Sequence, residues 1–257
     1  MIGGPVYQEP AVLAAFLKGL ERLDLAGIEP LWAFVDDVGN PASALLRQWQ
    51  PPLGEFRIFR PSEGAEQPYQ PLSHQWRPAL WLRVGELKNH LITVAREAGV
   101  DYLFLVDSDL VLQPATLQAL VATRKDIVSE VFWTVWESGQ PALPNVWVSG
   151  HYNLCPILPG ETLADEEKAR RSGAWLNLLT QPGLYPVGGL GACTLLSRRA
   201  LAGGISFSRI PTLDYWGEDR HFCVRAQALG FELWAHTGLA PRHLYRPEDL
   251  AGLAEGG

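Results

Sequence analysis

Apolar residues in this chain recur in two alternating patterns. Short unbroken runs read as strands buried on both faces, the kind found inside a parallel sheet. They occur at Pro30 to Val35, Glu55 to Phe59 and Asp101 to Leu112, where Tyr102-Leu103-Phe104-Leu105-Val106 runs straight into Asp107. A stubbier first run spans Ile2 to Tyr7 and is interrupted by Gly3-Gly4. Between the runs, apolar residues return every three or four positions, the period of a helix with one buried face. Val12, Leu13, Phe16, Leu17 and Leu20 follow Pro10, and Leu80, Val84, Leu87, Leu91 and Val94 mark a helix from about Pro78 to Ala98 that Gly99 stops. After the turn at Asn40-Pro41, a short helix is expected through Leu45, Leu46 and Trp49.

The second half continues less regularly. Pro114 opens a helix through Leu117 and Leu120, and a strand is expected over residues 126–135. Residues 136–185 are rich in Pro, Gly, Trp and Asn, with one short charged helix near residues 163–171. Strand, helix and strand are expected at 191–197, 217–229 and 231–235, and the tail after Arg246 is expected to fray. Residues 60–76, with three prolines and little periodicity, read as a loop. Strands alternating with helices predict one α/β domain, its sheet covered by helices on both faces.

Composition narrows the chemistry. At 257 residues, 47% hydrophobic and 19% charged, the chain can bury a sizeable core. A formal charge of −7 with no basic block argues against a nucleic-acid partner, but not against a small phosphorylated ligand. Cys155, Cys193 and Cys223 are odd in number and widely spaced, so a reduced, cytoplasmic protein is expected. The sequence shows no membrane-length apolar run and no signal-peptide pattern. Ten tryptophans are many for this length, and the stretch from Trp133 to Trp147 suggests an aromatic wall for an acceptor.

The clearest chemical signal is Asp107-Ser108-Asp109 at the end of the most apolar run. Ligands of open α/β sheets gather beyond the carboxyl ends of strands. Two carboxylates that close repel each other and suit a divalent cation, which in turn suits a phosphate-bearing substrate.

On its strand, Asp107-Ser108-Asp109 resembles the DxD motif of GT-A nucleotide-sugar glycosyltransferases. Other features follow in the family's order across roughly residues 1–246. Asp36-Asp37 ends the second strand, and Lys88-Asn89 stands where relatives often show Arg-Asn. Gly188-Gly189 precedes an apolar strand and Arg198-Arg199, Trp216-Gly217-Glu218-Asp219 opens a helix, and His243 comes late. The resemblance implies a mixed, mostly parallel GT-A sheet in a single domain. Its nucleotide-binding half would run to about residue 112, with an acceptor-binding half over residues 113–246. It implies a Mn²⁺ or Mg²⁺ ion on Asp107, Asp109 and His243, and a UDP- or GDP-linked sugar as donor. Pro5, Tyr7, Asp36, Asp37, Lys88, Asp107 and Ser108 would border the nucleotide. A hydroxyl of the acceptor, itself expected to be a carbohydrate, would lose its proton to Asp219, or failing that Glu218, if the displacement is inverting. Retaining relatives share the DxD motif and the layout, so the resemblance implies either stereochemistry. Lysine is a point charge rather than a bidentate fork, so Lys88 departs from the family pattern.

Bland readings exist for each motif. Glu218 and Asp219 also suit a helix amino terminus, and Gly188-Gly189 also suits a tight turn. His74, His90, His151, His221 and His236 read as structural, although His151 lies in the irregular region and is placed to touch an acceptor. Three other functions compete with this reading. A phosphatase of the haloacid dehalogenase type matches Asp107, Asp109 and Val111, but carries that motif on its first strand, and three strands precede it here. A sugar nucleotidyltransferase opens with a Gly-rich loop that does not follow Gly3-Gly4. A non-catalytic nucleotide-sugar-binding protein would use the same carboxylates.

Overall fold

A computed structural model describes residues 1–61 and 78–251. The loop expected over 60–76, with His74 in it, and the last six residues lie outside the described residues, apart from Arg60 and Pro61. The chain opens with β1 (Ile2–Val6), α1 (Pro10–Glu21), β2 (Leu31–Asp36), α2 (Ser43–Gln48) and β3 (Glu55–Phe59). It continues with α3 (Pro78–Glu97), β4 (Tyr102–Leu105), β5 (Leu110–Val111), α4 (Thr116–Ala122), β6 (Ile127–Glu130) and β7 (Trp133–Thr134). The irregular region holds β8 (Leu143–Pro144), β9 (Val146–Trp147), α5 (Asp165–Leu178), β10 (Gly183–Val187) and β11 (Gly189–Leu190). Last come β12 (Thr194–Ser197), α6 (Arg198–Ala202), α7 (Glu218–Ala228), β13 (Leu233–Thr237), β14 (Arg242–His243) and α8 (Pro247–Ala251).

Eight strands form one sheet in the order β10-β13-β6-β12-β4-β1-β2-β3. β3, β2, β1 and β4 are parallel, as the strand–helix alternation predicts. β12 runs antiparallel to both β4 and β6, and β10 antiparallel to β13. The reason lies in the connection. After β6 the chain passes through β7, β8, β9 and α5 and joins the far edge of the sheet as β10. It then reaches β12 through β11 with no crossover helix between β10 and β12, entering at Thr194 beside the carboxyl end of β4.

Alternation along β4 divides the core. Leu103 and Leu105 face a cluster with Leu87, Leu91 and Ala95 of α3 and Phe222 of α7. Phe104 and Val106 face Leu13, Phe16 and Leu20 of α1 with Leu120 of α4. Gly3-Gly4 is not an interruption of β1. A Cβ on Gly4 would lie 2.2 Å from the Val106 carbonyl oxygen, so glycine lets β1 close against the chain just before Asp107.

Three boundaries differ from the pattern. The strand expected over 126–135 leaves the sheet after Glu130: Val131 N bonds His236 O, while Phe132 N bonds the Asn145 side chain. The short helix near 163–171 extends to Leu178, because its later turns bury Trp175 against the core. The tail does not fray at Arg246. Residues 247–251 are helical, and Leu250 packs on Val12, Val111 and Leu244.

Candidate active site

The carboxyl ends of β1, β2, β4, β6 and β13 lie along one edge of the sheet, where Thr194 of β12 also enters. Asp107 and Asp109 occupy a tight turn there, closed by Leu110 N donating to Asp107 O at 3.2 Å. β5 then pairs with β14, and Leu244 N bonds Asp109 O at 2.8 Å. This brings residue 243 to residue 109: His243 Nε2 lies 3.4 Å from Asp109 Oδ2. The other ring nitrogen, Nδ1, is 2.8 Å from Thr134 Oγ1, and Phe132 meets the imidazole edge-on. Burial disfavours the charged imidazole, but Asp109 more than offsets this and raises the His243 pKa above its usual value.

A second cluster sits beside the first. The Lys88 side chain is only 3% exposed; its Nζ lies 2.8 Å from Glu218, 3.1 Å from Asp219 and 4.0 Å from Asp107. Three acids thus share one buried cation. Glu218 lies within this cluster, close above Gly85 of α3, where even a Cβ would meet the Glu218 Cβ at 3.2 Å. Burial pushes the Glu218 carboxyl up to about 7, against the pull of Lys88. Asp219 is more open, with a side chain 25% exposed. Lys88 holds its Oδ1, and its Oδ2 points at Gly191, where an added Cβ would come within 3.1 Å. Lys88, Asp107, Gly191, Ala192 and Asp219 line one small cavity.

The structure places the expected site residues as follows. Lys88 is paired inside the acid cluster with Glu218, Asp219 and Asp107. Glu218 is buried, whereas Asp219 is the more exposed of the two. Asp36 is buried, accepting from Asn40 Nδ2 at 2.9 Å and from Ser43 Oγ, with Arg47 and Arg60 each 3.3 Å away. Asp37 is held by Arg83, whose Nε lies 2.8 Å from Oδ1, and by Val38 N. Both acids are buried. Ser108 is buried, whereas Pro5 and Tyr7 are half-buried at the end of β1.

No three His, Cys, Asp or Glu side chains among the described residues are assembled into a metal cage. Asp107 leans to Lys88 with its side chain 42% exposed, while Asp109 and His243 stand together. One carboxylate and one imidazole is a donor set that fits Mn²⁺ or Mg²⁺ once phosphate or water oxygens complete the shell.

Elsewhere the sequence expectations divide. Arg198 and Arg199 pair with Asp101 and Asp126 at the opposite edge of the sheet, far from the acids. His221 is buried and stacks on Trp81, and His236 bonds buried Glu130 at 2.5 Å. Of the expected aromatic wall, Trp147 is buried and Trp133 packs on the core, but Trp136 is 44% exposed against Tyr245. Sequence reasoning passed over Thr134, Arg83 and Gly191. Only Gly191 left a signal, as the third glycine in Gly188-Gly189-Leu190-Gly191.

Breaking the Lys88 cluster has a calculable consequence. Lys88→Met strands buried carboxylates and is expected to cost about 3 kcal/mol, the lower end for a broken buried pair because Glu218 can take up a proton. That is a fall of roughly 6–12 °C in melting temperature. A carboxyl whose folded pKa is raised stabilises while protonated and loses that contribution as pH rises, here between about 4.5 and about 7. The variant's deficit should therefore be smaller at pH 5 than at pH 8, which scanning calorimetry at the two values checks.

No family model matches the chain. It is 29% identical over 46% of its length to the probable inactive glycosyltransferase 25 family member 3 of Bos taurus. It is 25% identical over 49% of its length to procollagen galactosyltransferase 1-A of Xenopus laevis. The match spans about a fifth (21%) of each of these relatives. Among solved structures, TarS 1–349 of S. aureus superposes with a TM-score of 0.51 at 13% identity, over 98% of this chain and 62% of that one. GalNAc-T7 with UDP, GalNAc and Mn²⁺ gives 0.52 at 13% identity, over 93% and 44%. The mannosyltransferase PcManGT of Pyrobaculum calidifontis, with GDP-Man and Mn²⁺, gives 0.52 at 14% identity, over 100% and 64%. The fold is therefore the GT-A fold, and the phosphatase reading, which needs the acid pair on a first strand, has no support. No helix among the described residues is long and apolar enough to cross a membrane.

Proposed function

We propose, from the GT-A fold as premise, that the chain transfers a sugar from a nucleoside diphosphate sugar to an acceptor hydroxyl with the help of a divalent cation. The observation that carries this reading is the pairing of two largely enclosed acid sites on one sheet edge: Asp109 with His243, and Asp219 with Lys88. Structural neighbours that hold UDP or GDP-Man together with Mn²⁺ support it.

Asp109 and His243 would hold the cation, which supplies positive charge to the departing diphosphate. With His243 as a neutral ligand through Nε2, its Nδ1–H would donate to Thr134 Oγ1, which lies 2.8 Å away, and Nε2 would stay turned toward Asp109. Lys88 fixes Oδ1 of Asp219, so that Oδ2 is free to take the proton of the attacking hydroxyl in an inverting displacement. Glu218 locks Lys88 in place. The half-buried end of β1, at Pro5 and Tyr7, borders the nucleotide, with Arg83 as the nearby cation in place of the acid it neutralises.

A thermal-shift screen of UDP and GDP, each with and without Mn²⁺, tests the reading. One diphosphate should stabilise the protein only when Mn²⁺ is present. Stabilisation by neither would sink it. Stabilisation with no turnover of any UDP- or GDP-sugar would instead favour a binding protein.

Thr134 offers a finer test. Thr134→Val should weaken Mn²⁺ binding in the presence of the diphosphate by about 10- to 100-fold, the usual cost of losing a partner of a metal-bound histidine. Thr134→Ser should restore it. Titration of free Mn²⁺ by electron paramagnetic resonance reads the difference, and equal affinity in Thr134→Val refutes the role.

A further inference from the structure

We propose that Arg220 makes the acceptor side of this cleft a site for an anionic acceptor, one carrying a carboxylate or phosphate near the hydroxyl that Asp219 deprotonates. This rests on the transferase reading above.

Arg220 follows Asp219 on the first turn of α7. Its guanidinium carbon lies 5.5 Å from the Trp147 ring centre and 5.7 Å from that of Tyr152, and its Nε donates to the His151 carbonyl at 2.5 Å. The terminal nitrogens fold back over the start of the helix. A Cβ on Gly217 would lie 2.6 Å from Arg220 Nη1, and Gly217 has φ +96°, so glycine serves there both the backbone and the guanidinium. A guanidinium has five N–H donors, and Nε provides only one. Among the described residues Arg220 belongs to no ion pair, unlike Arg83, whose Nε and Nη2 donate to Asp37.

A half-buried guanidinium with no carboxylate partner among the described residues is an unusual expense for a fold, because one hydrogen bond and two ring contacts return only part of its desolvation. Burial accordingly works against its charge, and neighbouring Asp219 compensates only in part. The location gives the remainder of the argument. Asp107, Glu218 and Asp219 share the single buried cation Lys88, so this end of the cleft is acidic and would repel an anion. The planar fork of Arg220 offsets that repulsion on the acceptor side and matches a carboxylate or phosphate in two parallel hydrogen bonds. The exposed face of Trp216 and the ring of Tyr215, which is tilted against His151, flank the same loop.

Glycerol, glycerate and glycerol 3-phosphate form a matched set of hydroxyl probes that differ in charge and in the source of the oxyanion. Their binding is measured by ligand-observed NMR, with Mg²⁺ and the stabilising nucleoside diphosphate at saturation so that the diphosphate site is filled. The native protein should prefer one or both anions over glycerol by about 10- to 100-fold, the range for charge-assisted hydrogen bonds. Arg220→Gln should collapse that ratio toward one, and Arg220→Lys should restore part of it. The stronger of the two anions assigns the acceptor's charged group. No preference in the native protein, or an unchanged ratio in Arg220→Gln, overturns the proposal while the diphosphate response stands. Loss of melting temperature with equal loss for all three probes reduces Arg220 to a latch on His151, which also overturns it. Failure of the diphosphate to stabilise the native protein removes the transferase reading first.

Discussion

Asp219→Asn is expected to lower sugar transfer by about 1,000-fold, within the range for removing a general base, while leaving stabilisation by diphosphate and Mn²⁺ nearly unchanged. The asparagine keeps the shape and an oxygen for Lys88, which lies 3.1 Å from Asp219 Oδ1. It loses the second oxygen that accepts a proton near Gly191. The effect should fall on turnover more than on donor binding, because the proposed cation site lies at Asp109 and His243. Steady-state kinetics with the identified donor, alongside a thermal-shift titration, separates the two. A variant retaining more than a tenth of the native rate would remove Asp219 from the reaction. Glu218 cannot substitute, since it is enclosed against Lys88 and Gly85.

Asp109→Ala should have the opposite signature: loss of the metal-dependent stabilisation itself. With ligand at 100 times its dissociation constant, binding contributes about 2.7 kcal/mol, or roughly 5–10 °C for a chain of this size. The alanine variant should show almost none of that shift, and transfer should fall with it. The reasoning is local. Asp109 is the carboxylate that meets His243, and removing it leaves one imidazole that fixes no cation alone. Asp107→Ala should do less to the metal response, because that side chain leans toward Lys88 instead. Full metal-dependent stabilisation in Asp109→Ala would show that the cation lies elsewhere.

The elements were largely legible because each is enforced locally. The helix over Pro78–Glu97 carries its own periodic stripe, and Tyr102–Leu105 announces burial on both faces. The antiparallel entry of β12 was not legible, since strand direction depends on where the preceding fifty residues travel. The site divided along the same line. Asp107, Asp109, Asp219 and His243 stand out by residue type and order, but Asp36 and Asp37 look the same in the sequence. What the structure adds is that those two are paired with Arg47 and Arg60, and with Arg83, respectively. Nothing near Asp37 in the sequence announces Arg83, which reaches it from 46 residues away.

The order of apolar runs and acids along the chain was enough to specify an α/β domain with carboxylates at a strand end, because periodicity and strand-end placement act over a few residues. Which carboxylates stay reachable, which are neutralised by Lys88 or the arginines, and that Thr134 and Arg220 stand beside them, were decided only when β14 paired with β5 and α7 packed on α3. Those contacts join residues more than a hundred positions apart, and burial and charge pairing at that distance leave no mark on the local sequence.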